Sequence, residues 1–407
     1  MDTIRPFDHG HADLVQACHK SYDGRRLVTA SSDHRLKVFD RKKDGTDQLV
    51  DSWTAHDAEI IDVKWNSPLT TPLLASISED TNLRIWLEDP TMPPLSGRRF
   101  RPVFSQTAPH KTPYASLDLL TTPHDLTTYL AVINKSGFLS VLEPVVPDDP
   151  SAWQPIDEFR VCNSPPRGEE TGFLVRFHQD VKYGPSSLVR PSNVVSGSSS
   201  RAQTTGGGGV ALAVGAMDAV KIYVMPVGAR QFSLIVQLDL PGRGSLVRDI
   251  AWAGGAASGR DIIACASQEG IVRLREIQAN EDASSTTERK SGEYQKAPSK
   301  SNGATQTSKP TPTPSGIGAG LAVTSRTRSP LRAGGDSRPR YQILETATLR
   351  HPQVRKVCFS PTGGALATAG DDGGLRIWRP SITGEWLEFW EASADEEGVI
   401  GGDEIKA

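Results

Sequence analysis

The sequence is poor in cysteine, having only Cys18, Cys162, Cys265 and Cys358, and these are scattered along the chain. They form no Cys-x-x-Cys pair and have no histidine at ligand spacing, which excludes a recognisable metal site. No segment approaches the roughly 18 consecutive apolar residues that a membrane helix needs. The first residues also lack the apolar core of a signal peptide. We therefore expect a soluble intracellular protein whose cysteines are reduced and buried in strands, with no metal and no direct membrane insertion.

The sequence also lacks a strong charge of either sign and the usual signatures of catalysis. The formal net charge is −3, which is not typical of a protein that wraps nucleic acid. The glycine run Gly206–Gly209 is not followed by Lys and Ser or Thr, so it does not form a phosphate-binding loop. No Gly-x-Ser-x-Gly nucleophile turn is present. These absences predict a protein that is not an enzyme, uses no cofactor and makes no direct contact with nucleic acid.

What the chain does contain is a repeat in which an Asp stands six residues before an aromatic residue, with apolar and polar residues alternating between them. This alternation is typical of a β-strand with one buried face. The strongest copies are Ser31–Phe39, Ser78–Trp86 and Gly370–Trp378, and weaker copies occupy Asn134–Leu142, Ala216–Tyr223 and Ser267–Arg275. Since such units bury their apolar faces only by stacking, six copies predict an all-β propeller with six blades.

We expect one propeller domain over residues 1–407, interrupted by two polar insertions. Residues 185–209 are rich in Ser and Gly, and residues 278–340 are basic and rich in Ser, Thr and Pro. Neither holds enough apolar surface to order itself, so both are predicted to be disordered, in blades four and five. After the second insertion, Tyr341–Leu349 resumes alternation and is predicted to be the outer strand of blade five. An acidic flexible tail is expected over residues 391–407.

Histidine, hydroxyl and aspartate side chains recur with the repeat and invite two interpretations. A single Ser, His and Asp set would suggest a catalytic triad, but here similar sets repeat, which favours a buried hydrogen-bond chain in each blade. The hydroxyl of each chain would reach the final aromatic residue of the repeat. The predicted structural tetrads are His11, Thr29, Asp33 and Phe39; His56, Ser76, Asp80 and Trp86; and His351, Thr368, Asp372 and Trp378.

The ends of the chain predict an open ring. The alternating segment Gly384–Trp390 completes blade six, so the strand-like residues before His11 have no place there. These residues are the candidate edge for a partner strand: Thr3, Ile4, Arg5, Pro6, Phe7 and Asp8. Exposed sheet edges are normally covered, so we expect a partner to add strands in the space between the last and first blades.

The chain resembles the Seh-type (Sec-thirteen homologue) WD-repeat nucleoporins of the Y-shaped outer ring of the nuclear pore. The resemblance rests on the segments Gly10–Val15, Asp23–Asp40, Asp148–Trp153 and Gly370–Trp378, together with the six blades and unclosed ends. It implies a non-enzymatic scaffold at the nuclear envelope that supports nucleocytoplasmic transport and binds an α-helical scaffold nucleoporin by receiving a blade. It also implies contacts with other Y-complex subunits. A second implied role is in a vacuolar coat that regulates TOR signalling.

Two alternatives remain open at this point. A vesicle-coat protein of the Sec-thirteen type shares the open six-blade plan, whereas a peptide-reading WD-repeat adaptor would have a closed ring. The long insertions, and Arg275 in place of the aromatic residue that ends the blade-five repeat, depart from the family pattern. These departures leave open whether blades four and five are regular.

Overall fold

A computed structural model describes the chain as an assembly of antiparallel β-strands. The described residues are 7–123, 125–147, 149–166, 168–179, 209–226, 228–241, 245–253, 261–279 and 341–392. One short turn of 3-10 helix, Pro109–Lys111, connects two of the strands. Within these ranges no helix has the length and apolar character to span a membrane.

The strands form six four-stranded sheets, which we call blades one to six. Blades one to three contain β1 (Val15–Lys20), β2 (Arg26–Ser31), β3 (Arg35–Arg41), β4 (Asp47–Thr54); β5 (Ile60–Trp65), β6 (Leu73–Ser78), β7 (Asn82–Glu88), β8 (Phe100–Thr107); β9 (Tyr114–Thr121), β10 (Thr128–Asn134), β11 (Phe138–Val146) and β12 (Asp149–Arg160). Blades four to six contain β13 (Phe173–Phe177), β14 (Val210–Ala216), β15 (Ala219–Met225), β16 (Ser233–Asp239); β17 (Val247–Trp252), β18 (Asp261–Ser267), β19 (Ile271–Ala279), β20 (Tyr341–Arg350); β21 (Val354–Phe359), β22 (Leu366–Gly370), β23 (Leu375–Pro380) and β24 (Trp386–Ala392). The predicted all-β, six-bladed propeller is confirmed.

The core lies between neighbouring blades. Val28 and Val38 of blade one pack with Val63 and Trp86 of blade two, and similar clusters join later blades. Strand β6 is buried along its whole length, because the blades on both sides cover its two faces. The alternating pattern of each repeat therefore reports burial against two neighbouring blades, which an isolated sheet would not provide.

The ring does not close on itself in the way of many propellers. Innermost strands of consecutive blades pack in the order β1, β5, β9, β13, β17 and β21. Each blade consists of four strands consecutive in sequence, so the first strand of the chain does not complete blade six. Among the described residues, β21 and β1 do not pack against each other as the other neighbours do. We call the space between blades six and one the gap.

Both outer strands predicted from the sequence are present. Strand β20 pairs with β19, and β24 pairs with β23, as predicted for the outer strands of blades five and six. Blades four and five are both regular four-stranded sheets. Gln278 lies in β19, and β24 continues to Ala392, so ordered strands extend slightly into segments predicted to be disordered. Apart from Gly209, Gln278, Ala279, Glu391 and Ala392, the insertions at 185–209 and 278–340 and the tail at 391–407 lie outside the described residues.

Candidate partner-binding site at the open edge of the propeller

Blade two shows how a face is covered when a following blade is present. Its face toward blade three contains two cross-strand pairs, Ala75 with Ile85 and Ile77 with Leu83. All four side chains are fully buried, and they form one cluster with residues of blade three, including Leu117. This face is the reference against which the last blade can be compared.

Blade six presents the same pattern without a following blade. Ala367 pairs with Ile377 and Ala369 pairs with Leu375, in the register of the blade-two pairs. All four side chains are partly exposed to solvent. We call this surface the gap face of blade six. Apolar side chains at these positions normally lie in the interface between two blades, so the gap face has the composition of a buried interface but is open to solvent.

The opposite side of the gap is formed by blade one. Cys18 pairs with Thr29, as Val63 pairs with Ser76 in blade two and Val357 with Thr368 in blade six. Val63 and Val357 are buried against the preceding blade, whereas Cys18 is exposed. The prediction that the cysteines are buried strand residues holds for Cys265. It is wrong for Cys18, for Cys358 on β21, which is exposed too, and for Cys162, which is partly exposed and lies outside the strands.

The predicted partner-strand edge is only partly described. Thr3, Ile4, Arg5 and Pro6 lie outside the described residues. Phe7 and Asp8 are described but belong to no strand, and Phe7 packs edge-on against Phe39 with ring centroids 4.9 Å apart. Phe7 thus covers part of the gap side of blade one, while remaining 37% exposed itself.

The tetrad of blade two is a continuous hydrogen-bond chain. Nδ1 of His56 donates to Asp80 at 2.9 Å, and Nε2 accepts from the hydroxyl of Ser76 at 2.8 Å. The Ser76 oxygen in turn accepts from Nε1–H of Trp86 at 2.9 Å. Asp80 also accepts from the backbone N–H of Asn82 at 2.9 Å, which fixes the turn between β6 and β7. The chain joins the turn, the strand and the aromatic ring, and no substrate-sized opening adjoins Ser76, which is fully buried.

The other two tetrads follow the same plan with differences that their sequences explain. His11 contacts Asp33 and Thr29, each at 2.8 Å, but Phe39 carries no donor and so ends the chain at the hydroxyl. In blade six, His351 stands one residue nearer its following strand, and its ring is reversed. Nδ1 accepts from Thr368 at 2.7 Å, and Nε2 lies 3.5 Å from Asp372. The Thr368 hydroxyl completes the chain by accepting from Trp378 at 3.0 Å.

Electrostatics in the tetrads agree with a neutral histidine. Burial lowers the pKa of His56, although its hydrogen bond with Asp80 acts in the other direction. Burial opposes ionisation of Asp80, but the hydrogen bonds from His56 and from the Asn82 N–H outweigh it and hold its pKa below the usual range. Burial likewise lowers the pKa of His351. A neutral ring can donate through one nitrogen and accept through the other, which is the geometry that the chain requires.

Sequence reasoning missed a set of polar connections between the innermost strands. Asp62 accepts from the N–H of Leu117, Asp118 from that of Phe177, and Asp249 from that of Val357. In blade one, Nδ1 of His19 accepts from the N–H of Trp65 at 3.1 Å. Each acceptor lies on the innermost strand of one blade and each donor on that of a later blade. Polar residues in otherwise apolar inner strands were the available signal.

Other residues singled out in the sequence have structural roles. Trp153 on β12 is buried, and its indole donates to the Pro150 carbonyl at 2.9 Å. Arg275 is buried at the position of the missing aromatic residue and donates to the Asp239 carbonyl at 3.0 Å. Across the described ranges, no cluster of His, Cys, Asp and Glu is suited to hold a metal ion.

Known proteins similar to this chain agree with the fold, and the relatives named below align with almost its whole length. Residues 3–40 and 344–379 match the family described as WD domain, G-beta repeat. The chain is similar to nucleoporin SEH1 of Saccharomyces cerevisiae, with 27% identity over 94% of this chain and 97% of the relative. It is 25% identical to nucleoporin seh1 of Schizosaccharomyces pombe over 91% of both chains. It is 23% identical to protein transport protein sec13 of Emericella nidulans, over 93% of this chain and 94% of the relative.

Proposed function

We propose that this chain, a Seh-type WD-repeat protein by its sequence and its fold, is a non-enzymatic scaffold subunit of the outer ring of the nuclear pore. The near full-length similarity to nucleoporin SEH1 of two yeasts supports this assignment. The named relatives are nucleoporins and protein-transport proteins, and no enzyme family is indicated. The buried tetrads then contribute to stability, and function belongs to the surfaces that the propeller offers to other subunits.

The proposed mode of assembly is donation of strands into the gap by a partner. The observation that carries it is the gap face of blade six, where Leu375 and Ile377 are partly exposed while their blade-two counterparts, Leu83 and Ile85, are fully buried. A donated sheet would cover these residues as blade three covers blade two. It would also bury Cys18 on the opposite side, where the equivalent residues of other blades are apolar and buried.

Strand donation suits this geometry for two physical reasons. A sheet that a partner inserts satisfies its backbone N–H and C=O groups among its own strands, so it can enter the gap without leaving them unpaired. The apolar pairs of the gap face would supply the hydrophobic contribution, at about 25 cal/mol for each Å² of apolar surface removed from water. We propose an α-helical scaffold nucleoporin as the donor, with other Y-complex subunits as neighbours and the nuclear envelope as the location. Work in a vacuolar coat linked to TOR signalling would use the same gap.

Affinity capture of the tagged protein from its native cells tests the proposal. Ile377→Arg places a charge on the gap face, and Ile382→Arg makes the same change in the fully exposed turn between β23 and β24. The proposal expects the native protein and Ile382→Arg to recover scaffold nucleoporins, and Ile377→Arg to lose the strand donor while remaining folded. Equal recovery by both variants would contradict donation into the gap.

A second candidate is a subunit of a vesicle coat, favoured by the near full-length similarity to protein transport protein sec13. The open ring serves that function equally well, so the identity of the captured proteins decides between the two. Recovery of vesicle-coat subunits without nucleoporins would support the second candidate. Loss of the captured protein in Ile377→Arg would then still support strand donation.

A further inference from the structure

A groove of about 520 Å³ lies between the outer parts of blades one and two, away from the gap. Its walls come from β3 and β4 of blade one and from β7, β8 and the loop between them in blade two. Four arginines line it, Arg35, Arg84, Arg98 and Arg101, and no acidic side chain does. Such a concentration of one sign is unusual in a chain whose formal net charge is −3.

The loop that carries Arg98 is fixed in position. The buried Asp51 of β4 accepts from the N–H of Gly97 at 2.8 Å and from the N–H of Arg99 at 3.0 Å. The N–H of Leu95 also donates to the Val50 carbonyl at 2.9 Å. These bonds hold the β7–β8 loop of blade two against the outer strand of blade one. Arg98 lies between Gly97 and Arg99, whose N–H groups Asp51 binds, so the backbone of Arg98 is held in place at the groove.

The guanidinium groups of the groove are largely free of carboxylate partners. Arg35 donates to the hydroxyls of Ser52 and Thr54, and Arg98 and Arg101 form no ion pair with any acidic side chain that the structure describes. Of the four groove arginines, Arg84 alone lies within ion-pair distance of described carboxylates, those of Asp57 at 3.4 Å and Asp80 at 3.8 Å. Unpaired guanidiniums bind carboxylates in two-pronged, charge-assisted contacts, so the groove offers sites for an anionic ligand.

The floor of the groove favours a peptide over a nucleic acid. Trp53 stacks on Phe100 with centroids 4.6 Å apart, and Trp86 packs edge-on against Trp53. All three rings are buried, at 5%, 3% and 3% exposure, respectively. Recognition of single-stranded nucleic acid depends on aromatic faces free to stack with bases, and these rings offer none. An extended peptide needs no free ring face and can bind through the cationic walls alone.

We propose that the groove between blades one and two binds an extended acidic segment of a partner protein, with Arg98 and Arg101 as its principal contacts. Carboxylates on alternate residues of such a segment point to the same side and would meet the guanidiniums in succession. The site is separate from the gap, so its occupation does not depend on strand donation. It would give the propeller a second attachment point that weakens as ionic strength rises.

The test uses the full chain and a fluorescein-labelled peptide of about eight residues, which spans about 26 Å when extended. The peptide alternates Glu and Ser, and a second peptide has Gln in place of Glu. The protein variant is the double substitution Arg98→Ala with Arg101→Ala, both at exposed residues. Its matched control is Arg25→Ala with Lys43→Ala, which removes the same charge from exposed turns of blade one outside the groove.

Fluorescence anisotropy at low salt should show that the Glu peptide binds and the Gln peptide does not. The groove variant should bind the Glu peptide about tenfold more weakly, and the control variant should match the native protein within about twofold. Equal affinity of the groove and control variants would overturn the proposal, as would absence of binding. Tighter binding of a single-stranded oligonucleotide through the same two arginines would overturn the assignment to a peptide.

Discussion

Replacing one isoleucine in each of two equivalent blades should separate a covered face from an uncovered one. Ile85 and Ile377 occupy the same register, each opposite an alanine on the preceding strand, Ala75 and Ala367. Ile85 is fully buried between blades two and three, whereas Ile377 is partly exposed at the gap. The local sheet environments match, so the comparison isolates the effect of a following blade.

The expected costs follow from burial. Truncating a fully buried isoleucine to alanine removes its transfer free energy and leaves a cavity, which together cost about 2–5 kcal/mol. At Ile377 the methyl groups are already partly hydrated and no cavity forms, so we expect about 1 kcal/mol or less. Any loss of strand preference on going to alanine is shared by both sites and cancels in the comparison.

Urea unfolding of the isolated protein, followed by tryptophan fluorescence, measures both costs. Ile85→Ala should lower the unfolding midpoint clearly, and Ile377→Ala should lower it only slightly with the same slope. When the strand donor is bound, the cost of Ile377→Ala should rise toward that of Ile85→Ala. Equal losses at the two sites in the isolated protein would refute the claim that the gap face lacks a cover.

Three further outcomes follow from the geometry. Asp80→Ala should lower the free energy of unfolding by about 1–3 kcal/mol. Asp372→Ala should lower it less, because the Asp372 side chain is 36% exposed and lies 3.5 Å from His351. Thermal unfolding of the two variants measures the difference. Burial lowers the pKa of His19 to about 3, below its value in the unfolded chain. The neutral ring therefore contributes fully to the free energy of unfolding above pH 6.5, and this contribution is lost as the pH falls toward 3. A His19→Gln variant should show a shallower decline in urea midpoint over that range. Gly172→Ala would place a methyl group 2.6 Å from a backbone oxygen of blade five and should destabilise by about 1–3 kcal/mol, whereas Gly364→Ala, with 3.6 Å of clearance, should be nearly neutral by the same assay.

The repeat allowed the fold to be predicted because each copy encodes local structure. The alternation of Leu83 and Ile85 defines a strand, and Asp80 defines the turn before it, so blades can be counted without knowledge of distant contacts. The likeness to Seh-type WD-repeat nucleoporins is confirmed by the full-length comparisons. The one-residue offset of His351 was visible in the sequence. In the structure, the His351 ring is reversed, so that Nδ1 rather than Nε2 faces the strand hydroxyl.

Features that join different blades could not be predicted in this way. Asp51 and Gly97 are far apart in the sequence, yet their hydrogen bond creates the arginine groove. Asp249 and Val357 are further apart still, and they connect innermost strands. A pattern of residues in the sequence predicts which side chains are buried, but it does not predict which distant residue each of them contacts. The exposure of Cys18 was missed for the same reason, since its strand pattern matches that of buried neighbours.

The central claim is that a partner completes the ring, and the structure of the native complex tests it most directly. The protein captured with its strand donor, imaged by electron cryomicroscopy, should contain a further sheet between β21 and β1, formed at least in part by the partner's strands. Leu375 and Ile377 should then be as buried as Leu83 and Ile85. A gap that stays empty in the complex, or that is filled solely by this chain's own residues, would contradict the account.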